Sequence, residues 1–302
     1  NGIHHHYSND KFDPDFSAEY LKNLMDETNT KLNDEVFDLI FNDVDSKKVN
    51  KNKSKGIVLG SSVNFYGSDV TEEDVDNFYN NIKVPDSNKP ISLGLNSKLV
   101  KEDGVLKEKV WKKGGMYSES IEKIIDNLEL AKNYAENKKQ ADALDLLVKY
   151  YETGDLKIWD DYNVAWVETT DGDVDYINGF IEVYNDPKGY RGSYESVVQI
   201  KDFEMSKKMS AISGEAQWFE DNSTIMDAHK KKNVVGISYN TVNVAGEAGD
   251  ASPSTPIGIN LPNANWIRAN HGSKSISLGN ILYAYGNAGS SGRLEEFAYS
   301  KE

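Results

Sequence analysis

The stretch Phe180-Ile181-Glu182-Val183-Tyr184-Asn185-Asp186-Pro187-Lys188-Gly189-Tyr190-Arg191-Gly192-Ser193-Tyr194-Glu195 changes character halfway along. Its first part is rich in apolar, β-branched and aromatic residues and reads as the end of a strand. Asp186-Pro187, Gly189 and Gly192 then specify a tight bend, because proline fixes its own φ and glycine accepts turn conformations closed to other residues. Arg191, inside the bend, finds its simplest role in pairing with a nearby carboxylate and pinning the turn. Beyond it, Glu195 to Phe219 reads as a helix, so the stretch predicts a strand turning into a helix.

Upstream of the bend, Val164 to Thr170 and Asp173 to Tyr184 look extended, and downstream so does Val234 to Val244. The N-terminal half is mostly helical in pattern. Ser17 and Asn33 are placed to cap two helices, and Thr71 with Asp74 forms a capping box for a third. Ser118 is placed to cap the clearest helix, whose buried stripe is Ile121, Ile124, Ile125, Leu128 and Ala131. Ala143, Leu144, Leu147, Val148 and Tyr151 mark another, stopped at Thr153-Gly154. Ile57 to Tyr66 has strand character, Asp45 to Gly56 reads as an exposed loop, and Pro85 to Trp111 as short strands or irregular structure. Helices precede strands in blocks, which predicts an α+β fold.

The 302 residues carry 34 Lys+Arg against 49 Asp+Glu, a net charge of −15, with no cysteine. Such acidity disfavours non-specific binding to nucleic acid or to an anionic membrane surface, where phosphates need cationic partners. The absence of cysteine excludes disulfides, thiol catalysis and Cys-zinc sites. No apolar run is long enough to span a bilayer.

Familiar chemical signatures are missing. There is no phosphate-binding P-loop, no H-E-x-x-H and no G-x-S-x-G, and Gly286, Gly289 and Gly292 have the wrong spacing for a dinucleotide loop. His4-His5-His6 points its rings in different directions and makes a poor metal site. His229 beside Lys230-Lys231-Lys232 reads as a solvated helix end. Asp171, Asp173, Asp175 and Glu182 mimic a calcium loop, but Tyr176 stands where that loop needs glycine. Gly258-Ile259-Asn260-Leu261-Pro262-Asn263 places two carboxamides three residues apart on a stiff loop. Two readings stay open for Asn260 and Asn263: groups that donate to and accept from a peptide backbone, or turn-forming asparagines.

Three segments in order resemble the dipeptidyl peptidase III family of zinc exopeptidases. They are Gly179-Phe180-Ile181-Glu182 through Glu195, Gly258-Ile259-Asn260 through Pro262-Asn263, and Ser277-Leu278-Gly279-Asn280. The similarity is strong from about Asn163 to Asn280 and is traceable upstream through Asn64-Phe65-Tyr66-Gly67. It implies a two-lobed fold whose lower lobe combines helices with a small β-barrel-like sheet. On that alignment residues 1–195 and 234–285 form the lower lobe, 196–233 a helical excursion into the upper lobe, and 286–302 the start of the zinc-carrying upper lobe.

The resemblance further implies removal of dipeptides from the N-terminus of peptides, with zinc as cofactor in the complete protein and short peptides as partners. The family's H-E-x-x-G-H zinc motif does not occur in these 302 residues. The chain is therefore expected to be a fragment, inactive alone and without a metal ligand of its own, whose partner is the remainder of its own polypeptide. Asn260 and Asn263, with Gly258, match family positions that fix the substrate's free N-terminus. Asp175 falls on an acidic anchor for the same ammonium. The family's oxyanion-stabilising tyrosine aligns with Ile177; Tyr176 is one residue off, so either the alignment shifts locally or the group is lacking. A non-catalytic peptide-binding protein is the alternative. A chain that begins at Asn1 leaves localisation open: cytoplasmic, or exported if a signal precedes it.

Overall fold

The computed structural model of this chain describes residues 3–5, 8–42, 47–234, 237–252 and 255–287. The chain divides into two compact units. One comprises Asn1–Lys83, Leu93–Val110 and Glu182–Ser193; the other comprises Val84–Ser92, Trp111–Ile181 and Tyr194–Glu302.

In the first unit, α1 (Ala18–Glu27) and α2 (Asp34–Phe41) start at Ser17 and Asn33, whose side chains accept from Tyr20 N and Glu35 N as their sequences require. The helix α3 (Glu72–Asn80) begins with the expected reciprocal capping box of Thr71 and Asp74. The strands β1 (Ser97–Glu102) and β2 (Val105–Val110) form an antiparallel hairpin. Its turn residues Asp103 and Gly104 both have positive φ, 52° and 78°, matching the twist of the flanking strands. The apolar core gathers Val58, Tyr66, Val70, Val75, Tyr79 and Leu99. The strand expected over Ile57 to Tyr66 is instead a run of turns and coil, apart from a bridge between Tyr66 and Leu99. Gly60 N bonds back to Gly56 O, and the Ser61 hydroxyl to Ile57 O, so local bonds displace a ladder.

The second unit opens with α4 (Ser118–Lys132), α5 (Lys138–Thr153) and α6 (Leu156–Glu168). Ser118 is the first residue of α4 and not its cap; its hydroxyl accepts from Gly114 N and donates to Glu122, both at 2.7 Å. Gly154, at φ 70°, ends α5 as expected. The extended segment expected over Val164 to Thr170 is a second correction, since Val164 to Glu168 closes α6. Trp159, Tyr162, Asn163, Trp166 and Val167 are buried at helical spacing, so packing overrides the β preference of Trp166 and Val167.

The strands β3 (Val174–Glu182) and β4 (Ser193–Lys201) flank the bend, which therefore joins strand to strand. The expected helix starts late: α7 (Phe203–Gly214) follows β4, with Asp202 capping it, and α8 (Ala216–Asp221) comes next. Residues Ser196–Lys201 are thus strand, not helix. Their side chains alternate, Val197 and Gln199 buried, Val198 and Ile200 exposed, which is a period of two. Gly179 permits a close approach, because a Cβ there would fall 2.4 Å from the Trp159 ring.

The remaining elements are β5 (Ile237–Gly249), β6 (Gly258–Leu261), α9 (Asn265–Asn270), β7 (Ser273–Leu278) and α10 (Gly279–Asn287). The sheet order is β3-β4-β5-β7-β6, with β4 antiparallel to β5, β5 parallel to β7 and β7 antiparallel to β6. Among the described residues this mixed sheet is open, with β3 and β6 at its ends. Residues 288–302, assigned above to the start of a further lobe, lie outside the described residues, as does His6. Among the described residues no helix is long and apolar enough to cross a membrane.

Candidate functional site

The bend is held as its sequence suggests, around a fully buried cation. Arg191 has no solvent exposure. Its guanidinium donates to the hydroxyls of Tyr66, at 3.0 Å, and Tyr79, and lies over both rings. Tyr66 passes a hydrogen bond on to Asp186 (2.7 Å), and Tyr79 to Glu108 (2.5 Å). The Asp186 carboxylate also accepts from the backbone N–H groups of Lys188, Tyr190 and Arg191, closing the turn. Burial raises the pKa of both tyrosines, so they remain neutral donors between cation and carboxylates. Arg191 and Asp186 are buried and the backbone N–H groups belong to the turn, which makes this cluster a structural clamp.

Asp175, the expected ammonium anchor, sits near the start of β3 with its carboxylate already engaged. Oδ1 accepts from the Trp166 indole N–H (3.0 Å) and from Tyr176 N (2.9 Å). Oδ2 accepts from the Lys274 ammonium at 2.7 Å. That ammonium is 2% exposed and lies 4.3 Å from the centre of the Trp166 ring. Burial pulls the Lys274 pKa down, and the Asp175 charge opposes the shift. Lys274 was not anticipated, although its place on β7 shares the parity of Ile276 and Leu278, an inward position where a cation needs a carboxylate. The pair also reports sheet shape. Strands β3 and β7 are three spacings apart, about 14 Å in a flat sheet, so direct contact requires strong coiling.

A small cavity of about 30 Å³ adjoins this pair, walled by Gln140, the segment Thr169–Asp175, Gln199, Lys201, Asn240, Val242, Lys274 and Ile276. Its volume suits water and not a dipeptide. The calcium-like pattern does not assemble. Asp175 and Glu182 stand at opposite ends of β3, roughly 23 Å apart at the rise of a strand.

Tyr176 faces away from Asp175, as strand alternation demands. Its hydroxyl is enclosed beside Tyr162 without a hydrogen bond of good geometry, and burial raises its pKa. Ile177 belongs to the core.

Gly258 and Asn260 lie exposed on β6, an edge strand of the open sheet. Asn260 pairs in register with Ser275, and Leu261 with Lys274. Alternation therefore places Leu261 on the face of Lys274 and turns Asn260 to the other face. The Ser275 hydroxyl donates to Asn260 at 3.4 Å. Asn263 follows in the exposed segment between β6 and α9. The structure thus groups Gly258, Asn260 and Asn263 on one edge and leaves Asp175 with Lys274 on the opposite sheet face. Among the described residues no group of three or more histidine, aspartate or glutamate side chains is placed to hold a metal. The described residues therefore offer no donor set that fits zinc.

An α+β chain with an open mixed sheet, an exposed Asn-bearing edge and a clamped Asp-Pro bend matches known proteins in both sequence and fold. The model of peptidase family M49 matches residues 49–296, and the chain belongs to that family. Dipeptidyl peptidase 3 of Nematostella vectensis is 32% identical over 171 residues, covering 57% of this chain and 23% of that protein. Dipeptidyl-peptidase III from Corallococcus sp. strain EGB aligns with a TM-score of 0.61 at 23% identity, covering 73% of this chain and 40% of that one. DPP III from Caldithrix abyssi aligns at 0.63 and 21% identity, covering 89% and 52%. The chain spans less than a quarter of the curated relative's length and about half of these solved chains.

Proposed function

We propose that this chain is the substrate-binding part of a dipeptidyl peptidase that removes dipeptides from the N-termini of short peptides. Membership of peptidase family M49 over residues 49–296 is the observation that carries this reading. The geometry supports it at β6, which ends the sheet order among the described residues and suits the addition of an extended peptide. Asn260 and Asn263 stand there as donors and acceptors for the peptide's terminal residues, with Gly258 leaving room for close approach. Holding the free ammonium two residues from the cut is what a dipeptide-releasing enzyme must do. Asp175 would join that anchor only by exchanging Lys274 for the substrate's ammonium.

In this reading zinc and the group that activates water come from outside the described residues. Zinc, when bound in the complete protein, supplies a polarised water and a Lewis acid for the scissile carbonyl. The residues of this chain bind and orient the peptide.

The test is dipeptide release by the full-length protein from a peptide with a free N-terminus and from its N-acetylated twin. Release from the free peptide alone, abolished by chelation and restored by zinc, is the expected result. Binding of both peptides without cleavage in metal-replete protein would instead indicate a peptide-binding protein.

A further inference from the structure

We propose that the cavity beside Lys274 is a built hydration site, in which ordered water bridges the Lys274 ammonium to the side-chain amide of Gln199. Gln199 is 1% exposed and lines the cavity, and among the described residues neither its amide oxygen nor its amide nitrogen has a protein hydrogen-bond partner. A buried amide left this way is costly, and natural proteins satisfy such groups with internal water. Lys274 supplies the complementary need. Its ammonium has three N–H donors, and the bond to Asp175 uses one. One water can accept from Lys274 and donate to the Gln199 carbonyl oxygen. A second, accepting from the Gln199 N–H₂, completes the set, and about 30 Å³ accommodates both.

The strand pairing is arranged to aim this side chain. Pairing between β4 and β5 steps from Val198↔Gly246 to Gln199↔Val244, so Ala245 is an extra residue and the ladder bulges at Gln199. The wall chemistry selects a neutral occupant. Lys274 and Lys201 repel a cation, while Asp171, Asp173 and Asp175 around the same cavity repel an anion. The water thus completes the coordination of a buried ammonium and fixes the geometry of the Asp175–Lys274 pair.

Two measurements on the full-length protein test this. A crystal structure at high resolution should show water within hydrogen-bond reach of both the Gln199 amide and the Lys274 ammonium. In solution, Gln199→Leu should lower Tm by about 2 °C or more, because it strands that water against an apolar wall. Absence of density between the two side chains overturns the proposal. So does an unchanged or raised Tm, the behaviour of a dry cavity relieved of two unpaired polar atoms. Should the variant fail to fold, the density decides alone.

Discussion

Arg191 and Lys274 are both buried cations, yet the protein treats them differently. Arg191 reaches its carboxylates through two tyrosine hydroxyls, with its guanidinium 4.0 Å from Asp186, and has no exposure at all. Lys274 meets Asp175 directly at 2.7 Å, and that carboxylate keeps 27% of its surface open. A planar guanidinium with several fixed donors suits a permanent clamp; a compact ammonium whose pKa yields to burial suits a site with adjustable occupancy. Burial of charge thus marks both the clamped bend and the neighbourhood of a cavity. The partners decide which is which.

Arg191→Met should have the largest effect, about 3–5 kcal/mol of lost stability, because Asp186 is left buried without its cation. Lys274→Met should cost less, about 1–3 kcal/mol, since water can reach Asp175 and the lysine's own desolvation is relieved. Urea denaturation of the full-length variants measures both, and equal losses would erase the distinction between the two sites.

A third buried charge sharpens the comparison because, among the described residues, it forms no ion pair. Asp160 on α6 is 5% exposed, and burial, reinforced by Asp161, pushes its pKa up to about 7 against the weaker pull of Lys157. A carboxyl whose folded pKa is raised is stabilising when protonated. That contribution is full below its unfolded value near 4 and is lost as pH rises to about 7. Asp160→Asn should therefore stabilise the protein at pH 8, by up to about 4 kcal/mol, and change little at pH 4. Unfolding free energies at the two pH values check this; a variant equally affected at both would show that Asp160 is not the titrating group.

The smallest effect is at the surface. Thr71→Ala removes one half of the capping box of α3 and should cost about 1 kcal/mol. A loss of several kcal/mol, read as a shift in denaturation midpoint, would mean that α3 depends on its cap as much as the bend depends on Arg191.

Much of the fold was legible in the sequence where local chemistry decides it. The caps Ser17, Asn33 and Thr71–Asp74 and the stop at Gly154 act within one helical turn, so short patterns reveal them. The bend was legible for the same reason, down to Arg191. The errors fell where distant partners decide. Val164, Trp166 and Val167 look strand-like alone but fit a helix packed on its neighbours, while Val197-Val198-Gln199-Ile200 fits either period until the sheet chooses. At the candidate site, Asn260 and Asn263 were visible through their loop. Lys274 and Gln199 were not singled out, because their meaning depends on strands that meet only after folding and coiling; inward parity was the one local hint.

The most direct test of the functional account is the kcat/KM of full-length Asn260→Ala/Asn263→Ala on a dipeptidyl-arylamide, beside Asp175→Asn. The account predicts a loss of tenfold or more in the double variant, carried mainly by KM, if the exposed edge of the sheet holds the peptide terminus. Dipeptide release at the unaltered rate from the double variant, with the loss falling on Asp175→Asn alone, would contradict it.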